Sequence, residues 1–559
     1  MPTIEFNGKW NIYAAHLTTP FRPLEINKKR SVAPRKNADG NLIVHGDNLH
    51  ALKSLLPYYG GRVNCVYIDP PYNTGNEGWC YNDNLNAPLM KRWLRDNGEV
   101  DREDEERHDK WLCMMWPRLN LLRDLLAENG VIFVSIDDNE VHRLRMIMDE
   151  IFGADCFIAS IVVKVNPGGR DYGGIALTHD YVLVYAKSDE SILNPIPVEN
   201  GALPYKDEIG NFALRELRNR NIKFNSQNRP NLFYAFYVNP QAKDNNGLCD
   251  VSLSPKKGWV KVTPLKSKGV QTVWRWGKEK SLSELNVNVK GKSKRDGGFQ
   301  IVEKYRSETK RERSILDSTE YRNERGTLTL KAIFDGAVKF DYPKSDYLIK
   351  KLLALGTQKD SIVLDSFAGS GTTAQAVMEL NKEDGGNRQF ILVECEKYAD
   401  TVTAERTRRV IKKLHLENEQ SLVKNSFNGN FTFCTLGKEI GISIMLSRKK
   451  LPDYETVARC AALNLTGAML DKVKRGKDWF FGETENYRLH LIYEPEASFL
   501  KSTESAFTLE TAKRIGKAAA AQRKTALVFG TQQFVSQKEL NRCQVIFCKL
   551  PYYVVNSFG

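Results

Sequence analysis

Two stretches of this chain, about 40–190 and 336–415, repeat one pattern: short apolar runs rich in β-branched residues, separated by segments with helical spacing. In the first, Leu42–His45, Val63–Ile68, Val131–Ile136, Ile158–Val163 and Tyr181–Tyr185 read as strands buried on both faces. In the second, Ile362–Leu364 and Phe390–Val393 read the same way, with a helix from Thr373 to about Leu380 between them. Leu112, Met115, Leu119, Leu122 and Leu126 fall on one helical face, with Pro117 at its start or a kink and Asn129-Gly130 as its stop. Strands alternating with helices predict an α/β fold with a doubly wound, mostly parallel sheet. Residues 1–39 form an N-terminal arm. Beyond the pattern, Leu489–Tyr493, Ala526–Phe529 and Val545–Phe547 alternate with the Ala-rich stretch Thr511–Gln522. They predict a small C-terminal α/β domain over 421–559, without a catalytic motif.

Charge is unevenly spread. The 559 residues hold 82 Lys and Arg against 68 Asp and Glu, a formal charge of +14. Residues 251–330 alone hold 19 cations against 9 anions and so carry most of that excess. In the surrounding segment, 191–335, aromatics interleave with cations, as in Phe233-Tyr234-Ala235-Phe236-Tyr237 and Trp274-Arg275-Trp276. A solvated basic face is the plain reading; an aromatic and basic mixture between two α/β blocks favours a nucleic-acid surface. No apolar run approaches the roughly 18 residues of a spanning helix, and MPTIEFNGKWNIYAAHLTTP has no signal-peptide core. The expectation is a cytoplasmic chain with no membrane partner. The ten cysteines form no Cys-x-x-Cys pair and no metal site, and read as small buried hydrophobes.

Two motifs carry chemistry. Asp365-Ser-Phe-Ala-Gly-Ser-Gly-Thr-Thr373 joins an apolar strand to a helix. Its two close glycines, Gly369 and Gly371, allow a sharp turn and a close approach of backbone to a ligand at the helix N-terminus. The next strand ends in Glu394, placed to accept hydrogen bonds from ribose hydroxyls. By spacing alone this element specifies only an adenosine-containing cofactor, and an ordinary tight turn stays open. A phosphate-binding loop is excluded here because the lysine before its Thr is missing. The second motif is Val66-Tyr-Ile-Asp-Pro-Pro-Tyr-Asn-Thr74, also after an apolar strand; its bland reading is a turn carboxylate at Asp69.

Asp69-Pro-Pro-Tyr72 together with Phe367-Ala-Gly-Ser-Gly371 resembles the amino-methylating DNA methyltransferases. The residue types suit that chemistry. An adenine amino group is a poor nucleophile because its lone pair is delocalised into the ring. A carboxylate at Asp69 and the Pro70 carbonyl can hold both amino hydrogens and turn the lone pair towards a methyl donor. Pro70 and Pro71 stiffen the loop, and Tyr72 offers a face for an extruded base. Cytosine-carbon methylation needs a Pro-Cys nucleophile, and no cysteine here follows a proline. A zinc deaminase needs Pro-Cys-x-x-Cys beside His-x-Glu, so His415-Leu-Glu417 reads as helix surface.

The order of motifs, catalytic first and cofactor about 300 residues later, resembles the beta group of adenine methyltransferases. Gly46-Asp-Asn-Leu49, Phe340-Asp-Tyr-Pro-Lys-Ser-Asp346 and Thr178-His-Asp-Tyr-Val-Leu-Val-Tyr185 are similar to further segments of that group; His179 on its own reads as a packed residue. Asp69–Gly78, Arg107-His-Asp-Lys-Trp111, Val134-Ser-Ile-Asp-Asp-Asn-Glu140 and Arg218-Asn-Arg-Asn221 resemble modification (Mod) subunits of type III restriction–modification systems. The likeness covers about 40–240 and 335–410.

That resemblance implies an S-adenosylmethionine-dependent methyltransferase of Rossmann-like fold acting on adenine N6 of double-stranded DNA. Residues 40–190 would be its catalytic half, 336–420 its cofactor half and 191–335 an inserted target-recognition domain, the two halves meeting at the carboxyl edge of one sheet. Asp69, Pro70, Pro71 and Tyr72 would be catalytic. Asp365, Phe367, Ala368, Gly369, Ser370, Gly371, Thr372, Thr373 and Glu394 would bind the cofactor, with Asp47 and Lys344. A homodimer, a separate restriction (Res) helicase and nuclease subunit, and a nucleoid-associated place in a bacterial or archaeal cell are implied too. Alternatives are a cytosine-N4 or RNA methyltransferase and an inert DNA-specificity subunit. Neutralising several cations within 256–295 is expected to weaken DNA binding and flatten its salt dependence, measured by titration at several ionic strengths; an unchanged slope places the DNA surface elsewhere.

Overall fold

The computed structural model describes residues 3–34, 40–74, 106–169, 174–191, 193–198, 201–337, 340–419, 429–438, 451, 453–466, 470, 473–484 and 486–549. The chain divides into two compact units, one of Met1–Asn194 with Arg313–Gly559 and one of Pro195–Glu312.

The first unit is built on a ten-stranded sheet. In chain order its strands are β1 (Leu24–Ile26), β2 (Leu42–His45), β3 (Val63–Ile68), β4 (Leu126–Ile136), β5 (Phe157–Lys164), β6 (His179–Ala186), β7 (Ile315–Leu316), β8 (Ile362–Asp365), β9 (Gln389–Glu394) and β10 (Thr432–Leu436). They lie in the order β1-β10-β2-β9-β8-β3-β4-β6-β5-β7. The central run from β10 to β4 is parallel, whereas β6 is antiparallel to both β4 and β5. Successive strand residues bury on opposite faces. Leu42, Val44, Val66, Ile132, Val134, Leu364 and Ile391 join the core formed with Asn48–Tyr59, Arg107–Leu125 and Val141–Phe152. On the other face Asp346–Gly356 packs so closely that a methyl on Gly356 would stand 2.7 Å from Phe133 and Val131. This is the expected doubly wound α/β sheet.

Some local expectations fail for physical reasons. The helix Arg107–Leu125 runs through Pro117 and ends before Leu126, where Gly61 and Arg62 amides donate to the Asp124 and Leu125 carbonyls. Asn129-Gly130 therefore lies inside β4. Strand β5 is only half-buried, because it runs near the sheet edge with a two-residue partner beyond it. Five of the described cysteine side chains are buried, but Cys395 is exposed at the end of β9; Cys80 and the side chain of Cys460 lie outside the described residues.

The boundaries also shift. Strand β7 and the helix Asn323–Ile333 belong to the first unit, so the second unit is narrower than 191–335. Strand β10 belongs to the large sheet rather than to the C-terminal block, and β1 of the N-terminal arm pairs with it. The rest of the C-terminal block carries its own four-stranded sheet: Phe480–Glu483, Tyr487–Leu491, Thr525–Gly530 and Val545–Lys549. Among the described residues no helix is long and apolar enough to cross a membrane.

The second unit holds a seven-stranded antiparallel sheet. Its core takes in Tyr234, Phe236 and Trp274, aromatics that the sequence pattern counts towards a nucleic-acid surface. Trp274 is buried edge-on against Phe236, and its indole N–H donates to the Tyr234 carbonyl at 2.8 Å. Cations including Lys256, Lys257, Lys261, Lys266, Lys268, Lys292 and Arg295 are exposed, while Lys290 is buried against Asp250 at 2.7 Å. The basic character of this surface stands; of its aromatics Tyr234, Phe236 and Trp274 are core, Tyr237 and Trp276 are half-buried and Phe233 is exposed. Trp274→Ala is expected to destabilise this unit by about 3–5 kcal/mol, read by chemical denaturation. A variant of wild-type stability that only binds DNA more weakly would return Trp274 to the surface.

Candidate active site

Parallel pairing decides which loops meet. Val63–Ile68 and Ile362–Asp365 are direct neighbours, with Cys65 opposite Val363 and Val66 opposite Leu364. Their carboxyl ends therefore emerge side by side and bring Asp69-Pro-Pro-Tyr72 next to the turn of Gly369 and Gly371. Glu394 ends the strand beyond, and Asp47 follows the strand paired with it, His45 lying opposite Glu394. Because β6 is antiparallel, its first residues reach the same edge and add Asp180, to which the sequence assigned no role.

The glycine turn is held from all sides. Gly369 and Gly371 both take positive φ, 51° and 81°, and a methyl on Gly371 would stand 3.0 Å from the Thr403 carbonyl. Asp365 accepts from the Phe367 amide at 3.0 Å and from Thr373 Oγ1 at 2.5 Å. Glu394 accepts from the amides of Gly369 and Glu396 at 2.7 and 2.9 Å. Ser370 and Thr372 receive hydrogen bonds from Arg406, a fully buried cation on Glu405–Glu419 that also reaches Gln375. Nothing in the sequence marks Arg406 apart from other cations of that amphipathic helix. Ala368 donates to the Val393 carbonyl at 3.1 Å, and a methyl on Gly369 would stand 3.4 Å from Phe340, which packs edge-on to Tyr398. Asp47 caps Asn48–Tyr59 by accepting from the His50 amide and pairs with Arg118 at 3.3 Å.

The catalytic-motif loop is braced by the other motifs. Trp111 Nε1 donates to the Pro71 carbonyl at 2.7 Å. Asn73, with φ 59°, donates to Glu140 at 2.6 Å, and the buried Glu140 carboxylate also holds His108. Arg107–Trp111 and Val134–Glu140 thus act on the Asp69–Tyr72 loop from behind. Gly75–Gly78 of the extended motif lie outside the described residues. His179 packs edge-on against Tyr181 and hydrogen bonds to its hydroxyl. Glu417 pairs with Lys382 on the helix surface.

Lys344, expected at the cofactor, lies against the catalytic-motif loop. Among the described residues its ammonium contacts Tyr72 Oη at 2.5 Å, Asp180 at 3.3 Å and Asp69 Oδ1 at 3.4 Å. Burial raises the Asp69 pKa, partly offset by the Lys344 ammonium and the Tyr72 hydroxyl. Burial alone would lower Lys344, but Asp69 and Asp180 outweigh it and hold the ammonium charged. Burial pushes Asp365 up to about 7 and also raises Glu394.

Among the polar atoms at this edge that are shielded from solvent without a hydrogen-bond partner are Asp69 Oδ1, which has a long ion pair to Lys344, and Ser366 Oγ. An acceptor in the catalytic loop and a hydroxyl beside the glycine turn are what a hydrogen-bonding base and an adenosine-containing cofactor would complete.

Residues 63–405 match the DNA methylase family, N6_N4_Mtase. The chain belongs to this family. It is 36% identical to the type III restriction-modification enzyme EcoPI Mod subunit of Escherichia phage P1 over 64% of this chain and 58% of that protein. It is 33% identical to the type II methyltransferase M.KpnI of Klebsiella pneumoniae over 66% of this chain and 84% of that one. The StyLTI Mod subunit of Salmonella typhimurium is 31% identical over 69% of this chain and 59% of its own length. The chain thus spans somewhat under two thirds of the Mod subunits it matches. Among solved structures, the PvuII DNA methyltransferase (cytosine-N4-specific) aligns with a TM-score of 0.33 at 12% identity, over 68% of this chain and 90% of that one, a likeness too loose to bear on function.

The raised pKa of Asp365 has a measurable consequence. The folded state holds this proton more tightly than the unfolded chain, so the stabilisation is present below the ordinary pKa of 3.8 and is lost as pH rises to about 7. Asp365→Asn is expected to flatten the decline in Tm across that window, read by thermal melts at stepped pH; an unaltered slope overturns the assignment.

Proposed function

We propose that this chain is a DNA methyltransferase that transfers a methyl group from S-adenosylmethionine to N6 of a flipped adenine in a specific double-stranded sequence. In this reading it serves as the Mod subunit of a type III restriction–modification system. The observation that carries the reading is the buried Asp69 Oδ1, an acceptor without a hydrogen-bond donor in a loop braced by Trp111, Asn73 and Glu140. Membership of the DNA methylase family and identity to two Mod subunits support it.

Asp69 would accept one amino hydrogen of the adenine and the Pro70 carbonyl the other, which draws the nitrogen lone pair out of conjugation. Pro71 holds the loop through its carbonyl bond to Trp111. Tyr72 would stack on the base. S-adenosylmethionine, when bound, supplies an electrophilic methyl on a sulfonium. Ser366, Phe367, Ala368, Gly369, Ser370 and Gly371 would line its binding turn ahead of the helix beginning at Thr372, Glu394 would accept from its ribose, and Asp47 would stand at the neighbouring strand end. The proton released from the amine leaves through Asp69 or solvent.

The exposed cations of residues 195–312 are the DNA surface in this reading, and homodimerisation and a restriction subunit with helicase and nuclease activity are its protein partners. Its place would be the cytoplasm of a bacterium or archaeon, at the nucleoid.

Expression in a methylation-free bacterial host, followed by long-read modification sequencing, is expected to show N6-methyladenine at one recurrent sequence, on one strand. Asp69→Ala is expected to remove the mark while DNA binding persists in a gel-shift titration. Marks on cytosine, or marks surviving Asp69→Ala, would overturn the reading.

A further inference from the structure

The ammonium of Lys344 stands 4.6 Å over the ring of Tyr72 and 3.4 Å from Asp69 Oδ1. Those are the two contacts that an extruded adenine needs: a ring face to stack on and an acceptor for its amino group. The lysine is not stray. Its own hydrogen bonds tie it to Tyr72 and Asp180, and the Tyr72 hydroxyl donates onward to Asp180 at 3.4 Å. Its backbone is clamped as well. The helix Asn323–Ile333 lies against it at Gly326, where a methyl would stand 2.2 Å from the Pro343 carbonyl and 2.6 Å from that of Lys344.

We propose that Lys344 is a positioning residue whose ammonium holds Asp69 and Tyr72 in place until the substrate's amino group and ring take over those contacts. Base entry moves its ammonium off Asp69, while its existing contact with Asp180 holds it in place. This deepens the methyltransferase reading and rests on it. The cation lowers the Asp69 pKa against burial and a crowd of acids: Tyr72 on its own loop, Tyr67 on β3, Asp180 on β6, Asp137 within reach of its charge, and Asp365 on β8. Arg325, on the helix behind Lys344, is paired with Glu320 at 3.2 Å and bonded to Tyr347. When the amine arrives, it brings its own hydrogens to Asp69, and Asp180 retains the displaced charge inside the site. The swap favours a ligand that supplies both a ring for Tyr72 and a donor for Asp69.

The test uses the full chain, S-adenosylmethionine and duplex DNA carrying the target found by modification sequencing. Lys344→Met removes the charge that opposes the upward shift of the Asp69 pKa, so Asp69 becomes easier to protonate. The acid limb of the kcat/KM profile is expected to move towards neutral pH, with about tenfold greater loss at the acid end, or one pKa unit. Lys344→Arg keeps the charge on a bulkier group. It is expected to leave the acid limb in place, lower kcat and reduce the fluorescence of 2-aminopurine set at the target adenine. If Lys344→Met is folded with the wild-type limb, or if Lys344→Arg moves the limb, the proposal is overturned while the methyltransferase reading stands. If Lys344→Met does not fold, the arginine variant alone decides. Wild-type protein that methylates no DNA would overturn both.

Discussion

The parallel pairing of Val63–Ile68 with Ile362–Asp365 is the contact on which the rest of the site depends. These strands are about 300 residues apart in the chain, and loop-closure entropy opposes joining them. The pairing survives because both strands are buried on both faces, so their apolar side chains have no comparable burial elsewhere. Once the two are adjacent and parallel, the loops at their carboxyl ends have to be neighbours. The intervening residues can then form a separate compact unit at Pro195–Glu312 without disturbing the sheet.

The same pairing creates an electrostatic difficulty. Asp47, Asp69, Asp180, Asp365 and Glu394 all reach one edge, and burial makes ionisation costly for several of them. The chain meets this by local means. Asp365 and Glu394 accept backbone amides, Asp47 has Arg118, and Asp69 and Asp180 share Lys344. Removing Lys344 would leave the buried Asp69 exposed to its neighbours' charge, which links the pH response of the site to its geometry.

Much of the architecture was legible because local rules and burial agreed. Glycines at 369 and 371 occupy positive φ, where other residues are strained, and the apolar runs at β2, β3, β4, β8 and β9 became strands within a residue or two, save that β4 begins five residues earlier. Other readings went astray where local sequence was ambiguous. A run such as Phe233–Tyr237 has the same composition whether it forms a stacking surface or alternates into a core, and Phe236 and Trp274 took the second course. Leu126 continues the helical spacing of Leu119 and Leu122, yet it begins a strand, because the helix is stopped by hydrogen bonds from Gly61 and Arg62.

The sequence by itself determined the α/β class, the two motif-bearing turns and the family they resemble, since each depends on residues within a few positions of one another. Only tertiary structure decided what stands against those turns. Trp111 and Glu140 became braces of the Asp69–Tyr72 loop, Arg406 the support beneath the glycine turn, and Lys344 a neighbour of Asp69. Their partners lie tens to hundreds of residues away, and strand order, which no local pattern encodes, sets those distances.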